Sequence, residues 1–481
     1  MSTAGAHKTA IQRWSLSRPV ALALDDGLLS TETTFFDYGC GRGGDLKRLH
    51  KMGVPVAGWD PAFFPDEERV PADVVNLGYV VNVIEDPEER AVALCAAWTL
   101  AQKLLIVAAR LEWETRTIAG DFQGDGIVTR KRTFQKFYAQ DELRDWIRAT
   151  IGRPCVAAAP GVFYVFRETA DEQAFVARRL TRPRRVPSVP LGEEVFEQRQ
   201  DLLQPLMAFV SRRGRLPADA ELDVAPQIKE VFGSLARAFS LVRRVTGPDP
   251  WETARRERRD DLLVYLALAA FGKRPKFRQL PDALRCDIRA FFGTYKAACT
   301  EADGLLYSAG DQDAIDRACA QAPVGKILPG ALYVHHTALS RLPPLLRVYE
   351  GCGRQLAGSV EGLTLIKLGR RQPKVSYLVY PEFDRVGHPA LAEAVIGDLA
   401  TLRLYHRDYR RTSNPPILHR KELLVSRDHP SHRRFARLSA REDGLGLLNS
   451  GQSIGTRAEW DAVLRRRGVT IHGHQVASAA Q

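Results

Sequence analysis

No run of 18 or more apolar residues occurs in this chain of 481 residues, which excludes an ordinary membrane-spanning helix. The opening stretch MSTAGAHKTAIQRWSLSRPV lacks the continuous apolar core of a secretory leader. Cysteine is sparse: seven residues, an odd number with no CxxC pair. That excludes a disulfide framework and a cysteine-based zinc site, and it fits reduced thiols in a cytoplasm. A cytoplasmic protein without a membrane partner or a bound metal is therefore expected. No internal repeat occurs, and no Ser-His-Asp or Cys-His nucleophile arrangement stands out. What is present is a 45 % apolar composition, enough for large cores, spread over a length that implies two or three domains.

Positive charge is unevenly placed. Residues 1–180 hold 22 Lys+Arg against 24 Asp+Glu, a net of −2, whereas the remainder holds 47 against 33, a net of +14. An anionic partner for the C-terminal part follows, and nucleic acid is the common one. A bland alternative is solubility combined with an arginine-rich composition.

Residues 34–166 alternate short apolar runs with helical stretches. TFFDYG, VPVAGWD, ADVVNLGYVVNVI, KLLIVAAR and GVFYVFR read as strands, while GDLKRLHKMG and DPEERAVALCAAWTLAQ read as helices, the second with Pro87 near its start. This alternation predicts a parallel α/β sheet. RRLTRPRRVPSVPLGEE (178–194) reads as a boundary. The expected organisation is an α/β, Rossmann-like domain over 1–180, a linker over 181–194, and a basic, mostly helical α+β region over 195–481. In that last region, DDLLVYLALAAFG is the clearest helix, and ALYVHH and VSYLVY are β-like.

The segment FFDYGCGRGGD ends a strand and opens a helix. Its glycines let the backbone turn tightly and approach a ligand, and the helix start adds free N–H groups. Asp60 ends the next strand at the distance usual for an acid that binds ribose hydroxyls. Gly39, Gly41 and Gly44 satisfy GxGxxG, so a dinucleotide competes with S-adenosyl-L-methionine. Two acids, Asp37 and Asp60, favour the latter, whose methionine end carries an ammonium. Cys40 within the turn reads as a packing residue.

DYGCGRGGD, GWDP, ADVVNLGYVVNVIEDPEER, DGIVTRKRTFQKFYAQDEL (125–143) and NPPILHRKE (414–422) together resemble the family of DNA phosphorothioation-associated methyltransferases. The resemblance runs from HKTAIQRWSLSRP almost to the C-terminus. It implies a class I methyltransferase domain, S-adenosyl-L-methionine as cofactor, and a place in bacterial DNA modification and restriction systems. The implied partners are DNA, including DNA with sulfur in its backbone, and other proteins of the phosphorothioation system. Carried over by position, Asp37, Gly39, Gly41 and Gly43 match the first methyltransferase motif and Asp60 the ribose-binding acid. Asn76, Leu77 and Tyr79 match the segment beneath the transferable methyl group. One departure is that only PAFFPDEERVP separates Asp60 from ADVV. Those eleven residues cannot hold the helix and strand expected there, so the sheet should be abbreviated.

At NLGY, Asn76 would orient the acceptor and Tyr79 stack on it, although the Pro-Pro of amine-methylating loops is missing. The alternative is that Asn76 closes the strand end and Tyr79 packs the core. NPPI (414–417) has the Pro-Pro but ends in Ile417, and it reads better as an extended loop. Candidate DNA contacts are Arg130, Lys131 and Arg132 in TRKRTFQKFY, whose aromatics could hold nucleotides or, equally, anchor a solvated helix start. His419, Arg420 and Lys421 are candidates for a backbone phosphate, and Arg433 and Arg434 for a basic face. The tail histidines His406, His419, His429 and His432 show no zinc spacing. Beside a DNA methyltransferase stand two other readings: a non-catalytic DNA-binding component, and a methyltransferase of RNA or small molecules.

Overall fold

Phe35 and Phe36 have no polar surface to show, and both are fully buried in the strand they begin, β1 (Phe35–Tyr38). The computed structural model describes residues 15–117, 120–129, 132–181, 199–448 and 453–478. The described residues form two compact units, one within 1–168, 319–342 and 350–481 and the other within 169–318 and 343–349.

In the first unit, β1 lies between β2 (Val56–Trp59) and β3 (Ala72–Gly78), parallel to both. Helix α1 (Arg18–Asp25) precedes β1, and α2 (Gly44–Lys51) joins β1 to β2. After β3 comes α3 (Pro87–Leu100), capped by the Asp86 carboxylate, which accepts from the Glu88 N–H. It leads into β4 (Ala101–Ala108), parallel to β3. Near-continuous apolar strands such as LLIVA are what a sheet buried on both faces requires, and Leu104 to Ala108 are all buried.

After β4, β5 (Gly120–Gln123), β6 (Gly126–Thr129) and β7 (Phe134–Gln135) pair antiparallel in a small separate sheet. The full order of the main sheet is β2-β1-β3-β4-β9-β8, with β8 (Val156–Ala159) and β9 (Val162–Phe166) forming an antiparallel edge. The expectation of a parallel sheet therefore holds for four strands and not for the last two. Pro160 and Gly161 alone separate β8 from β9, too short for a parallel crossover, which needs a dozen residues or more. Between Asp60 and Ala72 the chain makes turns, bends and one isolated bridge of Asp60 to Phe64, with no helix or strand. The sheet thus stops at β2, one strand short of the doubly wound order, as the eleven-residue gap requires.

The first unit also contains a six-stranded antiparallel meander: β10 (Lys326–Leu328), β11 (Ala331–His335), β12 (Leu365–Gly369), β13 (Lys374–Val379), β14 (Glu393–Asp398) and β15 (Arg403–Asp408). The helix Pro344–Ala357 lies so close to one face that a Cβ on Gly353 would sit 2.6 Å from the Val375 Cβ. The other face is covered at one end by Phe383, Leu424 and Phe435, packed on Leu365 and Leu378. The meander joins the parallel sheet through the Ser359 N–H, which donates to the Ala158 carbonyl at 2.6 Å, and through Trp113 stacked on His406 at 5.4 Å.

The second unit is helical. Its longest helix among the described residues, Asp249–Ala269, buries LLVYLAL and packs on Gln200–Arg213 and Tyr295–Ser308. From Gln200 onward the described residues hold helices to about residue 320 and then a sheet, the helical and α+β character expected of the C-terminal region. Residues 182–194 of the expected linker lie outside the described residues. No helix among the described residues is long and apolar enough to cross a membrane.

Candidate active site

In this strand order the chain runs from β1 to β2 on one side and then to β3 on the other, so a crevice opens beyond the carboxyl ends of β1 and β3. The glycine turn fills its rim. Gly39, Gly41 and Gly43 take φ of 85°, 53° and 70°, the left-handed region that side chains resist. A Cβ on Gly39 would lie 2.5 Å from Val80 Cγ2. The turn is tied to β2, because the Gly39 and Cys40 N–H groups both donate to the Trp59 carbonyl, at 2.7 and 3.1 Å.

Asp60 clamps the same turn. Its Oδ2 accepts from the Gly41 N–H at 2.9 Å, and its Oδ1 accepts from the Ala62 and Phe63 N–H groups at 2.9 and 3.1 Å. A carboxylate has about four acceptor positions, so one on Oδ2 is left for a ligand hydroxyl. Asp60 is thus both a shaper of the turn and a candidate ligand contact.

Asp37 and Asn76 are cross-strand partners in register on β1 and β3. Both are buried, and the Asn76 Nδ2 donates to Asp37 Oδ1 at 2.8 Å. That bond turns the amide oxygen the other way, and Asn76 Oδ1 is buried with no donor. A bare buried acceptor costs about 1–3 kcal/mol unless something donates to it. Gly78 keeps this corner open, since a Cβ there would lie 2.9 Å from Asn76 Nδ2. The next residue, Tyr79, is half-buried at φ 62°, a strained value for an aromatic side chain. Its N–H donates to the Ala108 carbonyl at 2.7 Å, which fixes it at the mouth of the crevice.

Burial, with Asp37 and Asp60 nearby, pushes the Cys40 thiol up to about 12. It stays protonated and serves as packing, as the sequence suggests. The same two carboxylates give the turn a negative field, which suits a cationic ligand. Reasoning from sequence missed Gly58 and Gly78. A Cβ on Gly58 would meet Leu46 Cδ1 at 2.7 Å and keep α2 off the sheet. The only signal was a glycine inside each strand.

The remaining candidates divide. Leu77 is fully buried in the core, so its side chain makes no cofactor contact. Arg130 and Lys131 lie outside the described residues, and Arg132 is exposed at φ 56°. Phe134, Phe137 and Tyr138 are buried anchors and cannot hold a nucleotide. His419 and Lys421, expected on a phosphate, are instead internal. The His419 Nε2–H donates to the Ile454 carbonyl at 2.6 Å beside His388 and Trp460. Lys421 donates to the Phe383 and Val386 carbonyls, both at 2.6 Å, and burial lowers its pKa to about 7. Arg420 pairs with Asp443, and Arg434 donates to the Asp384 carbonyl at 2.8 Å, whereas Arg433 is exposed. Asn414 Oδ1 accepts from the Ala458 N–H at 2.8 Å at the start of the helix Arg457–Arg467, so NPPI is a structural loop. Among the described residues no cluster could hold a metal ion.

Two buried histidines predict acid sensitivity. Burial, reinforced by His336 and His429, lowers His335 to about 3, with Asp384 opposing. Burial also lowers His419 to about 3, helped by His388, Lys326 and Arg420. Both are neutral when folded and protonate near pH 6.5 when unfolded. The unfolded state therefore gains protons first, and stability falls as pH drops below about 6.5, continuing toward 3. Together they should remove about 3 kcal/mol between pH 7.5 and 5.5. Urea midpoints at the two pH values measure this, and equal midpoints would contradict it.

The strand order, the glycine turn and the acid ending β2 define a Rossmann-like domain of the class I methyltransferase kind with an abbreviated sheet. No family model matches the chain, and no curated protein matches it. Among solved structures, it is similar to the 1,6-didemethyltoxoflavin-N1-methyltransferase of Burkholderia thailandensis, at 14 % identity over 34 % of this chain and 76 % of that one, TM-score 0.22. It is also similar to a SAM-dependent methyltransferase from Aquifex aeolicus, at 16 % identity over 34 % and 95 %, TM-score 0.22. A third likeness is an amino pentose methyltransferase of Micromonospora echinaspora, at 15 % identity over 31 % and 88 %, TM-score 0.23. At these scores the likenesses carry no weight for function.

Proposed function

We propose that this chain is an S-adenosyl-L-methionine-dependent methyltransferase acting on DNA, within the phosphorothioation systems that its sequence resembles. The observation that carries the cofactor is the Asp37–Asn76 pair at the crevice, a buried carboxylate beside a buried amide oxygen that lacks a donor. An ammonium supplies that donor and a matching charge. A pyrophosphate supplies neither. Bound there, the cofactor would provide an electrophilic methyl group on a sulfonium. Asp37 and Asn76 would hold the ammonium, Asp60 would take a ribose hydroxyl on its open Oδ2 position, and the Asp60-clamped turn would allow close backbone approach. Tyr79 would orient a planar acceptor, and the rate gain would come mainly from proximity and orientation. For DNA the supports are the net +14 after residue 180 and the family resemblance.

A second reading has one observation in its favour. Asn76 donates to Asp37 and, in the reading above, gives its one bare oxygen to the ammonium, which leaves nothing for an acceptor amine and suits a cofactor-binding component that senses rather than transfers.

The experiment is tritium transfer from labelled cofactor to DNA with and without backbone sulfur, alongside calorimetry of cofactor binding. Asp60→Ala should weaken cofactor binding about tenfold to a hundredfold, by loss of charge-assisted hydrogen bonds, and leave DNA retention unchanged. Cofactor binding without transfer to either DNA would favour the sensor. Absence of cofactor binding by the parent protein would reject both readings.

A further inference from the structure

The antiparallel meander has an open face that the cofactor reading does not use. Register places Tyr333, Lys367, Ser376, Ile396 and Tyr405 directly opposite one another across β11 to β15. This row crosses roughly 19 Å at the usual spacing between strands. It floors an open groove of about 950 Å³, flanked by Arg371 and Arg407. Among the described residues Lys367, Arg371 and Arg407 make no ion pair, while Lys374 is engaged by Asp398 at 3.4 Å. Asp398 is buried and also accepts from the Ala400 and Thr401 N–H groups. Tyr405 is 45 % exposed on the edge strand, and the Lys367 Nζ lies 5.4 Å from the Tyr333 ring centroid.

A solvated aromatic ring beside free cations, along a concave sheet, matches the requirements of a strand whose bases are unpaired. Aromatic rings stack on any base face, and cations follow the backbone. A duplex hides its base faces, so Tyr405 would gain nothing from one. We propose that this groove binds single-stranded nucleic acid, with a base on Tyr405 and phosphates on Lys367, Arg371 and Arg407. Its outer strand, β15, is tied to the segment leaving the carboxyl end of β4 by the Trp113–His406 stack. Through that tie the groove adjoins the side of the sheet that carries the crevice. The proposal deepens the nucleic-acid part of the function above and depends on that reading only for the purpose of the bound strand.

The test is fluorescence anisotropy of the full chain with a labelled oligothymidylate of roughly twelve nucleotides. Tyr405→Ala should weaken binding about fivefold to a hundredfold, and Tyr405→Phe should restore most of it. Lys367→Gln combined with Arg407→Gln should reduce the salt slope by about 1.4, near 0.7 for each lost phosphate contact. Calorimetry with S-adenosyl-L-methionine, run on the same variants, should not change. Loss of cofactor binding by the parent would sink the methyltransferase reading and leave this groove standing. Four results would overturn the groove: no binding by the parent, a Tyr405→Ala affinity within twofold, a duplex preferred over the single strand, or displacement by polyglutamate with Tyr405→Ala silent. The last would mark an acidic protein segment instead.

Discussion

Gly39→Val is expected to abolish measurable S-adenosyl-L-methionine binding, a loss of at least about a hundredfold, in a protein that still folds. The backbone at Gly39 sits at φ 85°, where an L side chain is strained by about 1–2 kcal/mol, more if β-branched. The new Cβ would also fall 2.5 Å from Val80 Cγ2, the movable end of a side chain. Both costs fit inside an ordinary stability of about 5–15 kcal/mol. Relief comes from rotating the turn, and rotation breaks the two bonds from Gly39 and Cys40 to the Trp59 carbonyl that aim the turn at the ligand. Binding is therefore lost well before the fold is. Calorimetry together with a urea midpoint separates the two effects. Binding within threefold of the parent would show that the turn does not contact the cofactor.

Asp287→Ala should be the most damaging single change in the helical unit. Asp287 is completely buried and faces Arg215 at 2.6 Å, Arg258 at 2.9 Å and Arg213 at 3.3 Å. Glu221 answers only Arg215, at 2.6 Å. Removing the one carboxylate shared by three guanidinium groups leaves buried positive charge with no counter-ion. Breaking a buried pair this way costs about 3–5 kcal/mol, a large part of the total. The expected result is a lower urea midpoint for the helical unit, with cofactor binding unchanged wherever the protein remains folded. A midpoint within the error of the parent would mean that water reaches the cluster.

Legibility differed sharply between the two ends of the chain. The N-terminal strands were readable because buried parallel strands are apolar runs, and the glycine turn was readable because positive φ selects glycine. Asp60 was legible by its spacing alone, but its bond to the Gly41 N–H was not, since side-chain geometry has no periodicity to read. The direction of Val162–Phe166 was hidden because apolar content does not encode strand sense. The misread residues were polar ones. His419 and Lys421 sit in a basic stretch, and charge in a sequence signals solvent by default. Here the Ile454, Phe383 and Val386 carbonyls, more than 30 residues away in sequence, make their burial possible. The aromatics Phe134, Phe137 and Tyr138 stayed undecided in the sequence, because an aromatic beside arginines reads the same whether it anchors a core or waits for a base. The face carrying Tyr405 was invisible because its row runs from Tyr333 to Tyr405 across five strands that are far apart in sequence.

The unit that carries the crevice is interrupted: it stops at Glu168 and resumes at Cys319. During synthesis at about 5–20 residues per second, the parallel sheet would be complete and outside the ribosome for roughly 8–30 s before the meander begins to follow. Throughout that interval β8 is a bare sheet edge, the kind of surface on which nascent chains associate wrongly. The Ser359 N–H that donates to Ala158 arrives only later, and with it the neighbour that covers the edge. The helical insertion is thus also a delay line, and a gene cut at residue 180 would leave the protein permanently at its most adhesive moment.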